Sequence, residues 1–193
     1  MKAATLVDEM NAVSQLHRLN IEGIRPWSAF FRAVEDLLAA KFDRVEIAHQ
    51  FYGALPPKKM NLERFYNRKR FFEALERDDI TVFRGYCHEE NGVLIEKGVD
   101  VALSLDLYRF SLQRYDLLLI FSADGDLVPA VQRAQENGAK VGAIVSRKQP
   151  ARLLKSAVDF LIPLEMILSK IDGKNLLIRH EATNHNNQKE RLA

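Results

Sequence analysis

The sequence lacks several features that would place it in a specialised class. It has a single cysteine, Cys87, among 193 residues, which excludes an internal disulfide framework and a zinc site built from several thiolates. No apolar run reaches the roughly 18 residues of a membrane-spanning helix. Asp8 and Glu9 interrupt the first apolar run before it has the length of a signal peptide. We therefore expect a cytoplasmic protein that begins at Met1, in a reducing compartment, without a membrane partner.

Charge of one sign and internal repetition are also missing. The chain has 28 basic and 26 acidic residues, a formal net charge of +2, which is too balanced to indicate nucleic-acid binding by charge alone. It contains no repeat, no GxGxxG motif and no GxxxxGK motif, so a dinucleotide or Walker-type site is not expected. With 47% hydrophobic residues, the composition is that of a globular domain with a complete core.

Short apolar runs alternate with longer helical segments along the chain. Strands are predicted at 3–7, 44–52, 79–86, 92–96, 116–121, 140–145 and 158–162. The run 116–121 is apolar after Asp116, which is typical of a central parallel strand covered on both faces. The alternation predicts a single α/β domain in which a parallel sheet is sandwiched between helices. We assign this domain to residues 1–172 and a loose polar tail to residues 173–193.

One predicted helix, which precedes the run 116–121, carries a regular apolar stripe. Its members are spaced at i, i+4, i+7 and i+11: Val101, Leu105, Tyr108 and Leu112. We expect this stripe to pack on the core. Asp106 lies off the stripe, and its spacing predicts an ion pair with Arg109.

Acidic residues follow two of the predicted strands directly. Asp8 ends the first strand, Asp124 and Asp126 follow the run 116–121, and Asp100 opens the helix before that run. Ligands of doubly wound sheets bind at the carboxyl ends of the strands, so Asp8 and Asp124 converge if their strands are neighbours. Two carboxylates about 4 Å apart repel by roughly 4 kcal/mol at an effective dielectric near 20. A cation would relieve this repulsion, and an all-oxygen cluster suits Mg²⁺ or Mn²⁺ better than zinc.

Three segments around these acids resemble the motifs of a known family. They are DEMN at 8–11, KGVD at 97–100 and SADGDLVP at 122–129. In this order they are similar to NYN domains of the LabA-like (DUF88) type, a branch of the PIN-like nucleases, and the resemblance spans about residues 3–165. It implies a PIN-like sheet and metal-dependent cleavage of RNA. The implied catalytic residues and ligands of Mg²⁺ or Mn²⁺ are Asp8, Asp100, Asp124 and Asp126.

The same resemblance assigns supporting roles. It implies that Asn11 orients Asp8 or a bound phosphate, and that Ser122 buttresses the loop before Asp124. Glu9 stands where family members often carry a small residue, and it adds an acid whose direction the sequence leaves open.

Basic and aromatic side chains are concentrated on the helix predicted at 59–77. Basic groups hold phosphates and aromatic rings stack unpaired bases, so we expect this helix to contact single-stranded RNA. The alternative is a solvated helix face, because three glutamates share the segment. Lys97, close to Asp100, is a further candidate for a phosphate contact. The predicted RNA-binding residues are Arg64, Arg68, Lys69, Arg70 and Lys97.

The leading hypothesis is therefore a Mg²⁺- or Mn²⁺-dependent endoribonuclease that hydrolyses RNA phosphodiester bonds. The alternative is a catalytically weak RNA- or nucleotide-binding module of the same fold. A phosphatase of the haloacid dehalogenase type requires a second acid two residues after the nucleophilic Asp, and Met10 occupies that position. The sequence leaves the oligomeric state open, a homo-oligomer included.

Overall fold

The computed structural model describes residues 1–91 and 93–179. Its strands are β1 (Lys2–Asp8), β2 (Ile21–Ile24), β3 (Glu46–Leu55), β4 (Thr81–Glu90), β5 (Val93–Lys97), β6 (Leu117–Phe121), β7 (Lys140–Val145), β8 (Phe160–Pro163) and β9 (Leu176–Ile178). Seven of them form one sheet in the order β5-β4-β3-β1-β6-β7-β8. Neighbours in this sheet run parallel, except for the antiparallel hairpin of β4 and β5. The predicted α/β fold with a mainly parallel sheet is confirmed.

Helices cover both faces of this sheet. They are α1 (Glu9–His17), α2 (Ser28–Ala39), α3 (Leu62–Arg77), α4 (Val99–Leu112), α5 (Val128–Glu136), α6 (Arg152–Ala157) and α7 (Leu164–Leu168). The side chains of β1 alternate between two cores, because successive residues of a strand point to opposite faces. Val7 packs in the core beneath α1, α2, α3 and α7, whereas Leu6 packs in the core beneath α4, α5 and α6. None of the helices in the described part of the chain is long and apolar enough to cross a membrane.

The face that α4 presents to the sheet differs from the prediction. The stripe expected in the core is exposed, with 64% of Val101, 63% of Leu105, 42% of Tyr108 and 55% of Leu112 accessible to solvent. The buried residues of this helix instead include Val99, Leu103, Leu107 and Phe110. Both sets have helical spacing, so periodicity did not distinguish them. Docking against β1 and β3 selects the second set.

Asp106 has the predicted partner and one more. Its Oδ1 accepts a hydrogen bond from Arg109 Nε at 2.8 Å, which confirms the expected pair. Its Oδ2 accepts a hydrogen bond from the hydroxyl of buried Tyr52 at 2.8 Å. Asp106 therefore joins α4 to β3.

The predicted tail begins too early. β9 pairs with β2 in a separate antiparallel ribbon, and the backbone N–H of Arg25 donates to the carbonyl of Asn175 at 2.8 Å. Residues 176–178 form this strand because Leu176, Leu177 and Ile178 are apolar and Leu176 packs against the core. The rest of the predicted tail, residues 180–193, lies outside the described residues.

Candidate active site

Asp8 is the best-anchored acid of the site. It ends β1 and is only 2% exposed. Its Oδ1 accepts the backbone N–H of Asn11 at 3.1 Å, and its Oδ2 accepts the Asn11 side-chain amide at 2.8 Å and the Ser122 hydroxyl at 2.9 Å. These bonds favour the charged carboxylate, but burial has the larger effect and raises the pKa of Asp8, with a further contribution from the charge of Asp100.

The same polar groups tie the end of β1 to the end of β6. The two strands are parallel neighbours, with Val7 opposite Phe121. Asn11 Oδ1 accepts the backbone N–H of Ala123 at 3.2 Å, and Ser122 Oγ accepts that of Asp124 at 3.1 Å. Asn11 and Ser122 thus both contact the Asp8 carboxylate and the loop that follows β6. The loop after β6 is held against α1 as a result.

Asp124, Asp126 and Asp100 surround the same edge of the sheet. Asp124 Oδ1 caps a short 3₁₀ turn, Gly125–Leu127, by accepting the backbone N–H of Asp126 at 2.9 Å. Gly98 has a φ of +85°, a left-handed conformation that glycine adopts without strain, and it turns the chain from β5 into α4. Asp100 therefore lies in the first turn of α4. Burial raises its pKa, and the charges of Asp124 and Asp126 raise it further, as expected for acids near one edge of the sheet.

A further carboxylate, that of Glu96, belongs to this environment and was missed from the sequence. Glu96 lies on β5 opposite Cys87. Burial, and then the charges of Asp8 and Asp100, raise its pKa to about 7, while the charge of Arg68 opposes them. Its position four residues before Asp100, on the last strand before that motif, was the available signal. Only the hairpin of β4 and β5 brings Glu96 to the acidic pocket, the edge of the sheet that carries Asp8, Asp100, Asp124 and Asp126.

Glu9 and Arg68 form a largely buried ion pair beside the pocket. Both terminal nitrogens of the Arg68 guanidinium donate to the Glu9 carboxylate, and Arg68 Nε donates to the carbonyl of Ala54 at 3.2 Å. Burial lowers the pKa of Arg68 to about 10, so the side chain stays charged at neutral pH. A Cβ at Gly53 would collide with both side chains. The pair therefore requires glycine at this point of β3.

These hydrogen bonds occupy Nε and one N–H on each terminal nitrogen of Arg68, and the contact of Arg68 with RNA stays a prediction. Lys69 also has a partner, since its Nζ lies 3.4 Å from Glu73 Oε1. Arg64, Arg70 and Lys97 are exposed. Within residues 1–91 and 93–179, these three form no ion pair. They remain available for phosphates.

The acidic pocket has the donor atoms that a hard divalent cation prefers, but its side chains are not already placed as a set of metal ligands. Across the described ranges, no three Asp, Glu, His or Cys side chains stand close enough together to hold a metal ion as they are placed. The donors are nevertheless carboxylate oxygens, which Mg²⁺ and Mn²⁺ prefer. Burial, and then the charges of neighbouring acids, raise the pKa values of Asp8, Glu96 and Asp100, and a bound cation would relieve the repulsion among these carboxylates.

Fold and pocket define an α/β protein with an acidic cluster at the carboxyl edge of a parallel sheet. The family model of the NYN domain matches residues 29–165, and the chain belongs to this family of PIN-like nucleases. The family therefore supports a nuclease-type function on nucleic acid. The matched range contains Asp100, Asp124 and Asp126, whereas Asp8 and Asn11 precede it and are added to the site by the position of β1.

Solved structures agree on the fold. A protein of unknown function from Vibrio parahaemolyticus is similar with a TM-score of 0.63 and 19% identity over 91% of this chain and 96% of that chain. A putative phosphofructokinase from Staphylococcus aureus has a TM-score of 0.41 and 14% identity over 75% of this chain and 50% of that one, a likeness from which we infer nothing. No curated protein matches the sequence significantly.

Proposed function

We propose that this protein is a metal-dependent endoribonuclease that cleaves single-stranded RNA at Asp8, Asp100, Asp124 and Asp126. What supports the proposal is the placement of the acids: Asp8 ends β1, Asp124 follows the neighbouring strand β6, and Asp100 lies in the first turn of α4. Burial raises the pKa values of Asp8 and Asp100, and the charges of neighbouring acids add to both shifts. Acids arranged in this way repel one another unless a cation joins them. In a nuclease family, we therefore expect such a cluster of carboxylates to bind a divalent cation.

The ligands of Mg²⁺ or Mn²⁺ in this proposal come from four segments of the chain. Asp8 and Asp124 extend from adjacent strand ends, Asp100 from α4, and Asp126 from the 3₁₀ turn. The bound ion would polarise the scissile phosphate and lower the pKa of the attacking water. Asn11 and Ser122 hold the Asp8 carboxylate in a single orientation, which keeps the first ligand in place.

In this proposal, the predicted RNA-binding residues that have no ion-pair partner among the residues that the structure describes bind the phosphates of the substrate. Arg64, Arg70 and Lys97 are exposed, and exposed cations near an active site hold the phosphates of a nucleic acid. Lys97 follows Glu96 at the end of β5, between the hairpin and Asp100. It is the predicted contact closest in sequence to the acidic pocket.

Cleavage of a labelled single-stranded RNA in Mg²⁺ or Mn²⁺ tests the proposal. We expect Asp8→Asn or Asp124→Asn to lower the cleavage rate by at least about 100-fold, because the charge stabilisation is lost with the ligand. RNA binding should persist. Asp43→Asn is the matched control, since Asp43 is exposed near Met1 at the opposite edge of the sheet. Cleavage by Asp124→Asn at the wild-type rate would refute this assignment.

The second candidate is an RNA-binding module that does not cut. The observation in its favour is that, within the described residues, no three potential ligands are already close enough to hold a metal ion. The same assay separates the two candidates. A wild-type protein that binds the RNA but leaves it intact in both Mg²⁺ and Mn²⁺ would be such a module.

A further inference from the structure

A groove lies between α3 and the ribbon formed by β2 and β9, on the α1 side of the sheet. Its volume is about 840 Å³. The floor is apolar, and its lining side chains are Trp27, Phe71, Leu75 and Leu177. The rim carries arginines from two separate elements, Arg25 after β2 and Arg64 and Arg70 on α3. An apolar floor beneath a basic rim suits a ligand that has both flat apolar groups and phosphates.

The basic residues of the groove lie mainly toward one end of α3. Three carboxylates also line the groove, those of Glu9, Glu22 and Asp78. Arg68 neutralises the Glu9 carboxylate. Arg25, Arg64 and Arg70 are exposed, and in the part of the chain that the structure describes none of them pairs with a carboxylate. Asp78, at the far end, is ten residues beyond Arg68, which is about 15 Å along a helix. The basic end of the groove is therefore the end near Glu9.

Glu9 also connects the groove to the acidic pocket. It directly follows Asp8, the most buried of the pocket acids, and its side chain lines the groove. A strand of nucleic acid whose scissile phosphate lies at Asp8 would thus meet the basic end of the groove next. The Glu9–Arg68 pair separates the two regions without adding net charge between them.

We infer that this groove binds the segment of single-stranded RNA that flanks the scissile phosphate. The inference rests on the proposed function and extends it to a binding path. Phosphates contact Arg25, Arg64 and Arg70, while bases lie on the apolar floor around Phe71. Duplex RNA keeps its bases inside the stack and cannot place them there, so the groove selects single strands.

The C-terminal ribbon is part of this binding path. Arg25 is positioned by the hydrogen bond from its backbone N–H to the Asn175 carbonyl at 2.8 Å, and Leu177 of β9 forms part of the floor. The ribbon therefore forms the wall of the groove opposite α3.

Binding of a fluorescent 12-nucleotide single-stranded RNA in EDTA, measured by anisotropy over a range of KCl concentrations, tests the inference. Each lost phosphate contact should reduce the slope of log K against log[salt] by about 0.7 and weaken binding about fivefold at 0.1 M salt. We expect this for Arg25→Ala and for Arg64→Ala, and twice the change in slope for Arg25→Ala with Arg70→Ala. Arg77→Ala is the control, because it removes the same charge from α3 at an exposed residue that does not line the groove.

Cleavage measurements distinguish the groove from the nuclease itself. In Mn²⁺, the groove variants should cleave a dinucleotide at the wild-type rate, because it carries only the scissile phosphate, and lose efficiency on the 12-nucleotide strand. If the groove variants bind the long strand as the wild type does, the inference is wrong even when cleavage is observed. If the wild type binds through the groove but never cuts, the nuclease proposal fails and the groove stands. If no RNA is bound, both fail.

Discussion

Glu96→Gln should stabilise the metal-free protein at alkaline pH and have little effect at acidic pH. The pKa of Glu96 is raised from 4.5 to about 7, mainly by burial and then by the charges of Asp8 and Asp100. A carboxyl group whose pKa is raised on folding binds more protons in the folded state than in the unfolded state. Its ionisation therefore destabilises the fold, and this effect grows as the pH rises from about 4.5 to about 7. It is complete above pH 7.

The size of the effect follows from the shift. At 1.36 kcal/mol per pKa unit, the shift of Glu96 corresponds to about 3 kcal/mol at most, and screening at the partly exposed side chain reduces it to about 1–2 kcal/mol. Glutamine keeps the length of the side chain and a carbonyl oxygen but has no charge. We therefore expect Glu96→Gln to raise the free energy of unfolding by about 1–2 kcal/mol at pH 8. Most of this gain should disappear at pH 4.5.

Urea unfolding in EDTA measures this difference. Trp27 is the single tryptophan of the chain and is 6% exposed, so its fluorescence reports unfolding. Glu89→Gln, an exposed position in the same hairpin, is the control and should change little at either pH. Destabilisation of Glu96→Gln at pH 8, or an equal effect at both pH values, would refute the argument that Glu96 shares the acidic pocket.

Three further predictions concern stability and can be checked by the same unfolding measurements. Leu103→Ala should destabilise the protein by about 2–5 kcal/mol, whereas Leu105→Ala should change it by less than about 1 kcal/mol; equal effects would contradict the orientation of α4. Arg68→Ala should destabilise by about 2–4 kcal/mol, because it leaves the Glu9 carboxylate buried without a partner, and Glu9→Gln in the same chain should recover part of the loss; no recovery would contradict the pairing. Truncation after Asn175 removes β9 and should lower the melting temperature by several degrees, and an unchanged melting temperature would show that the ribbon adds no stability.

The local sequence predicted the fold class and the edge of the sheet at which the candidate site lies. The apolar run before Asp124 is typical of a strand covered on both faces, and its alternation with helical segments implied a parallel sheet. Parallel strands end at one edge, so Asp8 and Asp124 were expected to meet there once their strands were neighbours, and β1 and β6 are adjacent. The fold class could be predicted because it depends on residues that are close in sequence and on a general rule of chain geometry, whereas the meeting of the two acids stays a prediction.

The remaining features depend on contacts between distant residues. Arg68 lies 59 positions from Glu9, and nothing in the pattern around either residue shows that the two side chains meet. Glu96 reaches the acidic pocket only through the pairing of β5 with β4. Residues 176–178 form a strand because they pair with β2. On α4, Leu103 and Leu105 belong to stripes of equal helical spacing. Periodicity shows which residues share one face of a helix. Which of the two faces is buried depends on the packing of the whole chain.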